Sequence, residues 1–199
     1  DNDANVAAIG EYMLGAGRGK KNMVYFTVST GVGGGAIVDG NIYRGNTSNA
    51  LEIGHTTVAP FGPRCGCGNV GCLEAVSSGT AIGKRGREAV ATKVETSLKD
   101  YENVTSYEVF KEAEKGDAVA KDIIEDALSY LGIGIANAIS IFDPEMVVIG
   151  GGVSKAGDIV FERVREVVKK RCFKSMSDAC EIVPAGLGTC LLYTSPSPR

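Results

Sequence analysis

One stretch of the chain, Glu52 to Gly79, contains the residue types best suited to bind a metal ion. His55 is the only histidine, and Cys65, Cys67 and Cys72 are half of the six cysteines. One imidazole and three thiolates complete the tetrahedral coordination of a structural Zn²⁺ and leave no position for a catalytic water. The backbone between these ligands can turn tightly because it contains Gly66, Gly68 and Gly71.

Two other interpretations of this cluster remain open from the residues alone. The cysteines could be reduced and buried, or two could form a disulfide and leave a free thiol. The other three cysteines, Cys172, Cys180 and Cys190, are scattered, and we see no secretory signal. We therefore expect a reduced, cytoplasmic protein in which the cluster binds zinc.

Two glycine-rich segments follow predicted strands and are candidates for phosphate contact. Residues 30–35 read Thr-Gly-Val-Gly-Gly-Gly after the apolar run 23–29, and Gly150-Gly151-Gly152 follows the apolar run 145–149. Glycine lets backbone N–H groups approach a phosphate, and α/β sheets bind ligands at the carboxyl ends of their strands. Neither segment is a Walker A loop. Each is also compatible with a plain β-turn or a packing turn.

Three carboxylates near these segments have ordinary structural interpretations. Asp3 opens a predicted helix, residues 2–15, where it can act as an N-cap. Glu74 can be a charge at a helix start, and Glu52 can be a solvated loop acid. From the residues alone these interpretations are favoured.

Several motifs together resemble those of the ROK family, which comprises bacterial sugar kinases and sugar-responsive repressors. The zinc stretch has the pattern Glu-x-Gly-His followed by Cys-x-Cys-Gly-x-x-Gly-Cys-x-Glu. The resemblance extends from residue 2 to Gly188 through NDANVAAIGE, STGVGGGAIVDGNIYRG, FDPEMVVIGGGVS and IVPAGLG.

The resemblance implies a role for each matching residue. Asp3 would be the general base that takes the proton of a sugar hydroxyl as its oxygen attacks the γ-phosphate of Mg²⁺-bound ATP. The hexose, glucose at its 6-hydroxyl, would contact Asn2, Asp3, Glu52, His55 and Glu74. ATP would lie against Thr30, Gly31, Gly33, Gly150, Gly151 and Gly152. Zinc would be structural, on His55, Cys65, Cys67 and Cys72.

The fold implied by the resemblance is α/β, of the actin-like, ribonuclease-H-like type. Residues 1–20 would end a missing N-terminal lobe as a catalytic inter-lobe helix, and residues 21–188 would form the C-terminal lobe with its zinc loop, 55–72. Since one phosphate loop of the kinases would precede Asp1, we expect a catalytically silent fragment. Residues 189–199 depart from the family pattern and predict a disordered, non-native tail.

Hydrophobic patterning predicts the elements around these sites. Strands are expected at 23–29, 36–38, 41–43, 145–149 and 181–184, and helices at 78–91, from 106, at 118–142, from Ser154 and at 158–170. The stretch 92–105 is polar and predicts a loop. The apolar face of residues 118–142 is assigned to packing against the sheet.

Composition excludes some functions, and the resemblance leaves three open. A net charge of −3 over 199 residues gives no electrostatic surface for nucleic acid, and no apolar run is long enough to span a membrane. The alternatives are a sugar kinase, a sugar-responsive repressor whose DNA-binding segment lies upstream, and a zinc-stabilised interaction module. The resemblance further implies a homodimer or a higher homo-oligomer.

Overall fold

Two apolar strands form the centre of a mixed sheet. The computed structural model describes residues 3–188, in which β1 (Met23–Val28) pairs in parallel with β4 (Met146–Gly150). β2 (Val32–Val38) pairs antiparallel with β1, and β3 (Asn41–Ile42) pairs antiparallel with β2. β5 (Glu181–Pro184) is parallel to β4. The sheet order is therefore β3-β2-β1-β4-β5.

Helices cover both faces of this sheet, which explains why β1 and β4 are apolar on both sides. One face packs against α5 (Ala118–Phe142), whose Leu131, Ile135 and Ile139 are fully buried. The other face packs against α1 (Asp3–Leu14), where Ala7 and Ala8 join a smaller cluster with side chains of β1, β2 and β4. The helix that begins with Asp3 is therefore part of the same packed unit as the sheet.

The remaining helices lie mainly on the α5 side. They are α2 (Leu73–Ser77), α3 (Gly79–Ala91), α4 (Ser106–Lys115), α6 (Asp158–Arg171) and α7 (Lys174–Ala179). Short polar side chains cap the N-termini of α3, α4 and α5. The Ser78 hydroxyl accepts the Ala81 N–H, Thr105 and Glu108 form a capping box, and Asp117 accepts the Ala120 N–H.

Several elements differ from the sequence predictions. β2 begins at Val32, not at residue 36, because Gly33, Gly34 and Gly35 pair with β1 as a regular antiparallel ladder. The helix expected from Ser154 is only a short 3₁₀ helix, Val153–Ala156, and the α-helix begins at Asp158. α2 and α7 are too short to show helical periodicity, so α7 was not predicted and α2 was indicated only by the interpretation of Glu74 as a charge at a helix start. The 92–105 loop contains a 3₁₀ turn, Ser97–Asp100.

Some predictions lie outside the described residues. They concern Asn2 and the tail at 189–199. Within residues 3–188, no helix combines the length and the apolar character needed to cross a membrane.

Candidate functional site

The four predicted metal ligands meet at one point. The ligand atoms of His55, Cys65, Cys67 and Cys72 all lie within 4.8 Å of one another. The Sγ of Cys65 is 3.7 Å from Nδ1 of His55, and the Sγ atoms of Cys67 and Cys72 are 3.6 Å apart. A tetrahedral zinc with bonds of about 2.0–2.3 Å has edges of about 3.4–3.8 Å. The two separations of 3.7 and 3.6 Å match such edges, so the cluster could hold a zinc ion.

Backbone hydrogen bonds fold the chain around this cluster. The Cys65 N–H donates to Asn69 O over 2.8 Å, and the Gly71 N–H donates to Pro63 O over 2.9 Å. Thr57 and Cys72 form an isolated antiparallel bridge, which returns the chain beside His55. Backbone hydrogen bonds therefore hold the cluster in place as well as its side chains do. The folded segment that carries it, residues 55–72, is called the metal knuckle below.

Only two of the three glycines between the cysteines are required by this geometry. Gly68 and Gly71 have φ values of +98° and +70°, and a methyl group on Gly71 would lie 1.6 Å from Ala59 O. A methyl group on Gly66 would meet no heavy atom within 4 Å, and its φ is not positive. The expected need for glycine at Gly66 is thus wrong.

The thiols have unequal acidities. Burial, followed by the neighbouring thiols, raises the pKa of Cys72 to about 12. The backbone N–H at Asn69 lowers the pKa of the exposed Cys67. A divalent cation stabilises the thiolate form of such groups, so metal binding would release protons here.

Three elements meet at the start of β2. They are the metal knuckle, α1, which begins with Asp3, and the glycine segment 30–35. The Glu74 Oε2 accepts the Val32 N–H over 3.0 Å. Gly54, next to His55, packs so closely that a methyl group on it would lie 1.9 Å from Val32 O. A methyl group on Gly33 would lie 3.5 Å from Cβ of Ala4, the residue after Asp3.

Glu74 also lies over the turn that precedes β2. A methyl group on Gly31 would be only 2.4 Å from Glu74 Oε2, so this position accepts no larger residue without displacing the carboxylate. Thr30, Gly31 and Glu74 line a cavity of about 750 Å³ between the metal knuckle and α3. This volume is in the range of ligand pockets.

Glu52 lies elsewhere. It is exposed and lines a separate groove of about 340 Å³ with Leu51, Tyr43 and Phe142. The sequence predicted that Glu52 and Glu74 lie toward one region, but in the structure they line two different cavities. Glu52 precedes the 3₁₀ turn Ile53–His55 at the start of the metal knuckle, whereas Glu74 lies in α2, which follows the last cysteine.

The two predicted phosphate segments are neighbours. Because β1 and β4 are parallel, residues 29–31 and 151–152 leave the same edge of the sheet. Gly151 has φ of +90°, and a methyl group on it would lie 2.3 Å from Val28 O. Thr30 and Gly152 line one cavity of about 330 Å³. Gly33 and Gly150, by contrast, lie inside strands β2 and β4.

The sequence did not predict the second wall of this cavity. It is formed by α3 and by the start of α4, through Thr80, Arg87, Thr105 and Ser106. The signal that could have found it is the glycine spacing of α3, since Gly79 and Gly83 share one helix face. A methyl group on Gly83 would lie 3.1 Å from Thr105 Cα, so these glycines allow the α4 segment to approach.

A cluster of one His and three Cys side chains lies beside the glycine-lined carboxyl edge of a covered, mixed sheet, the edge at which α/β sheets bind ligands. The sequence profile of the ROK family matches residues 1–190, and the chain belongs to that family. Its fold is the actin-like α/β fold of the ROK kinases, as the sequence predicted.

Relatives of both functional kinds are similar to the chain. A glucokinase of Halalkalibacterium halodurans is 44% identical over 193 residues, which are 94% of this chain and 58% of that protein. A xylose repressor of Caldicellulosiruptor bescii is 37% identical over 87% of this chain and 44% of the repressor. The structure of a ROK family glucokinase from Streptomyces griseus in complex with glucose and AMPPNP is 32% identical, with a TM-score of 0.84 over 96% of this chain and 64% of that one. The chain thus spans less than two thirds of each relative.

Proposed function

We propose that the complete protein to which this chain belongs is an ATP-dependent hexokinase that phosphorylates glucose at its 6-hydroxyl. One observation carries the proposal: the elements bearing Asp3, His55 and Glu74 all pack on Val32 and Gly33, directly after the glycine turn at residues 29–31. Sugar-binding groups and a phosphate-binding turn must be adjacent in a kinase, because the two substrates react directly.

Asp3 is the proposed general base. It is the exposed first residue of α1, and its carboxylate accepts the proton of the hexose hydroxyl while the hydroxyl oxygen attacks the γ-phosphorus. Phosphoryl transfer otherwise depends on positioning and on neutralising charge. Asn2 and Glu52 are further proposed sugar contacts.

Zinc has a structural role in this proposal. Bound to His55, Cys65, Cys67 and Cys72, it would hold the knuckle rigid without taking part in phosphoryl transfer. Since Nδ1 of His55 faces the Cys65 sulfur, the Nε2 edge is left to hydrogen-bond a sugar hydroxyl. Glu74, two residues after Cys72, is the second sugar contact supplied by the knuckle.

ATP, with Mg²⁺, is the proposed phosphoryl donor. Its phosphates would lie against the backbone of Thr30 and Gly31, with Gly33 behind them, and its nucleoside against Gly150, Gly151 and Gly152. The glucokinase of known structure that was bound to glucose and AMPPNP supports this pairing of ligands. We further propose that the chain alone is inactive and that the cytoplasmic protein forms a homodimer or a higher homo-oligomer.

The decisive experiment is a coupled ADP assay of the complete protein with a panel of hexoses. Asp3→Asn should lower kcat by at least about 100-fold and leave hexose affinity, measured by calorimetry, within about threefold. Asp122→Asn, an exposed carboxylate of α5, is the matched control. Unchanged turnover in Asp3→Asn would show that the assignment of the base is wrong.

A sugar-responsive repressor is the second candidate, favoured by the 37% identity to a xylose repressor. Such a protein would bind a sugar through the same knuckle but would release no ADP. Calorimetric hexose binding without turnover, together with sugar-dependent binding to operator DNA, would select the repressor. No heat with any hexose would leave only a zinc-stabilised interaction module.

A further inference from the structure

Glu11 is a buried carboxylate that the proposed chemistry does not use. Only 1% of its surface is exposed, and it lies in the last turn of α1. Its Oε2 accepts the N–H groups of Ala16, over 2.8 Å, and Gly186, over 3.0 Å. Its Oε1 accepts the Leu187 N–H over 2.9 Å. One side chain thus joins the end of α1 to the segment that follows β5.

Two glycines make room for this joint. A methyl group on Gly15 would lie 2.1 Å from Glu11 Oε2, and one on Gly186 would lie 3.1 Å from Ala16 N. The carboxylate therefore fits into space that is free because the two flanking positions, Gly15 and Gly186, carry no side chain. It links residues that are 175 and 176 positions apart in the chain.

Stabilising the helix itself does not explain this carboxylate. The carboxyl end of a helix has partial negative charge, so an acidic residue in the last turn is unfavourable there. Burial of a charge adds a further cost, which the three charge-assisted hydrogen bonds offset. The interaction therefore concerns where α1 lies relative to the rest of the lobe.

Much of the contact of α1 with β2 is made by small residues. Ala4 and Ala8 lie over Gly33 and Gly35, and the buried Asn5 also faces Gly35. Small side chains over glycines restrict sliding along the helix axis only weakly. The directional bonds of Glu11 add a constraint along the helix axis, and a helix of 12 residues, about 18 Å long, transmits it to Asp3 at the other end.

We propose that Glu11 is a positioning residue that sets the axial position of α1, and through it that of Asp3, against Gly186 and Leu187. This inference rests on the proposed function. A misplacement of about 1 Å at a reacting group costs up to about 100-fold in rate. The segment after β5 thereby becomes part of the support of the active site, although it is far from Asp3 in sequence.

The test uses Glu11→Gln in the complete protein, with Glu114→Gln, an exposed glutamate of α4, as the matched control. The amide keeps the shape but replaces one acceptor by a donor that faces an N–H group. We expect kcat to fall by about 10- to 100-fold, the KM values for hexose and ATP to stay within about threefold, and amide exchange in residues 7–12 to become faster.

Gly15→Ala provides a second, independent variant, because its methyl group would displace the carboxylate without removing the charge. It should give the same pattern if Glu11→Gln folds poorly. Normal kcat per folded molecule in either variant would overturn the inference, and so would a loss of kcat with unchanged exchange in α1. If the unmodified protein shows no turnover with any hexose, the proposed function fails, whereas the exchange comparison still decides whether Glu11 anchors α1.

Discussion

The carboxylate of Glu74 and the backbone N–H of Val32 are joined by a hydrogen bond of 3.0 Å. Glu74 lies in the first turn of α2, two residues after the last cysteine of the metal knuckle, and Val32 begins β2 immediately after the glycine turn. The hydrogen bond therefore connects the proposed sugar-binding element to the proposed phosphate-binding turn. We therefore expect a displacement of one to move the other.

The first prediction concerns this connection. In the complete protein, Glu74→Ala should weaken hexose binding by at least about tenfold and also raise the KM for ATP, because the Val32 N–H loses its acceptor. Loss of the bond itself should lower the free energy of unfolding by about 1–2 kcal/mol. Calorimetry, steady-state kinetics and urea unfolding measure the three effects.

A matched substitution separates the two roles of Glu74. Glu74→Gln keeps an oxygen that can accept the Val32 N–H but removes the charge. It should restore most of the stability and the KM for ATP while hexose binding stays weak. Equal loss of both affinities in Glu74→Gln would contradict this separation.

The second prediction concerns the metal. The protein should contain one zinc per chain, and Cys67→Ser should abolish this stoichiometry and lower the Tm, since the cluster would keep only three ligands. Cys172→Ser, a half-buried cysteine outside the cluster, should retain zinc and serves as the control. Elemental analysis and thermal unfolding are the measurements, and zinc-free native protein would refute the site.

Zinc binding should also depend on pH. The ligands bind as thiolates, and burial raises the pKa of Cys72 to about 12 when no cation is present. Protons therefore compete with zinc, and affinity should fall as the pH is lowered. Competition with a chelator between pH 8 and pH 5.5 should show progressively easier removal, and a constant affinity would be inconsistent with thiolate ligands.

The third prediction concerns the contact of α1 with β2. A methyl group on Gly35 would lie 2.8 Å from Cβ of Ala8, so Gly35→Ala should push α1 away from the sheet and cost about 1–3 kcal/mol. Gly152→Ala is the control for stability. The nearest atom to its added methyl group is 3.6 Å away, and its φ of −64° suits alanine. Urea unfolding of the two variants should separate them clearly.

The fourth prediction concerns stability in acid. Hydrogen bonds from Lys115, Ser97 and Tyr101 lower the pKa of Glu112 to about 2, from an ordinary value of 4.5. Because the folded pKa is the lower one, this stabilisation is complete above about pH 4.5 and is lost as the pH falls toward 2.

Glu112→Gln removes the group that titrates. The variant should therefore have a lower Tm than the unmodified protein at pH 7, and the difference should shrink as the pH approaches 2. Glu114→Gln, exposed on the same helix, should leave the Tm unchanged at both pH values. A difference in Tm that does not vary with pH would exclude Glu112 as the titrating group.

Much of the site was predictable because its ligands are close in sequence. His55 and the three cysteines lie within 18 consecutive positions, so residue type and spacing alone indicated a tetrahedral site. Two apolar runs, each followed by a glycine-rich segment, likewise indicated the buried strands β1 and β4, whereas their parallel pairing came from the structure. These are properties of short segments, for which local chemistry decides the structure.

The sequence by itself thus determined the metal knuckle, the main strands and helices, and the membership of the family. Only the tertiary structure decided that Gly33 and Gly35 are packing surface for α1, that Glu74 bonds to Val32, and that Glu11 bonds to Gly186 and Leu187. The reason is physical. A buried carboxylate needs donors, and which backbone groups supply them depends on segments that folding brings together from up to 176 positions away.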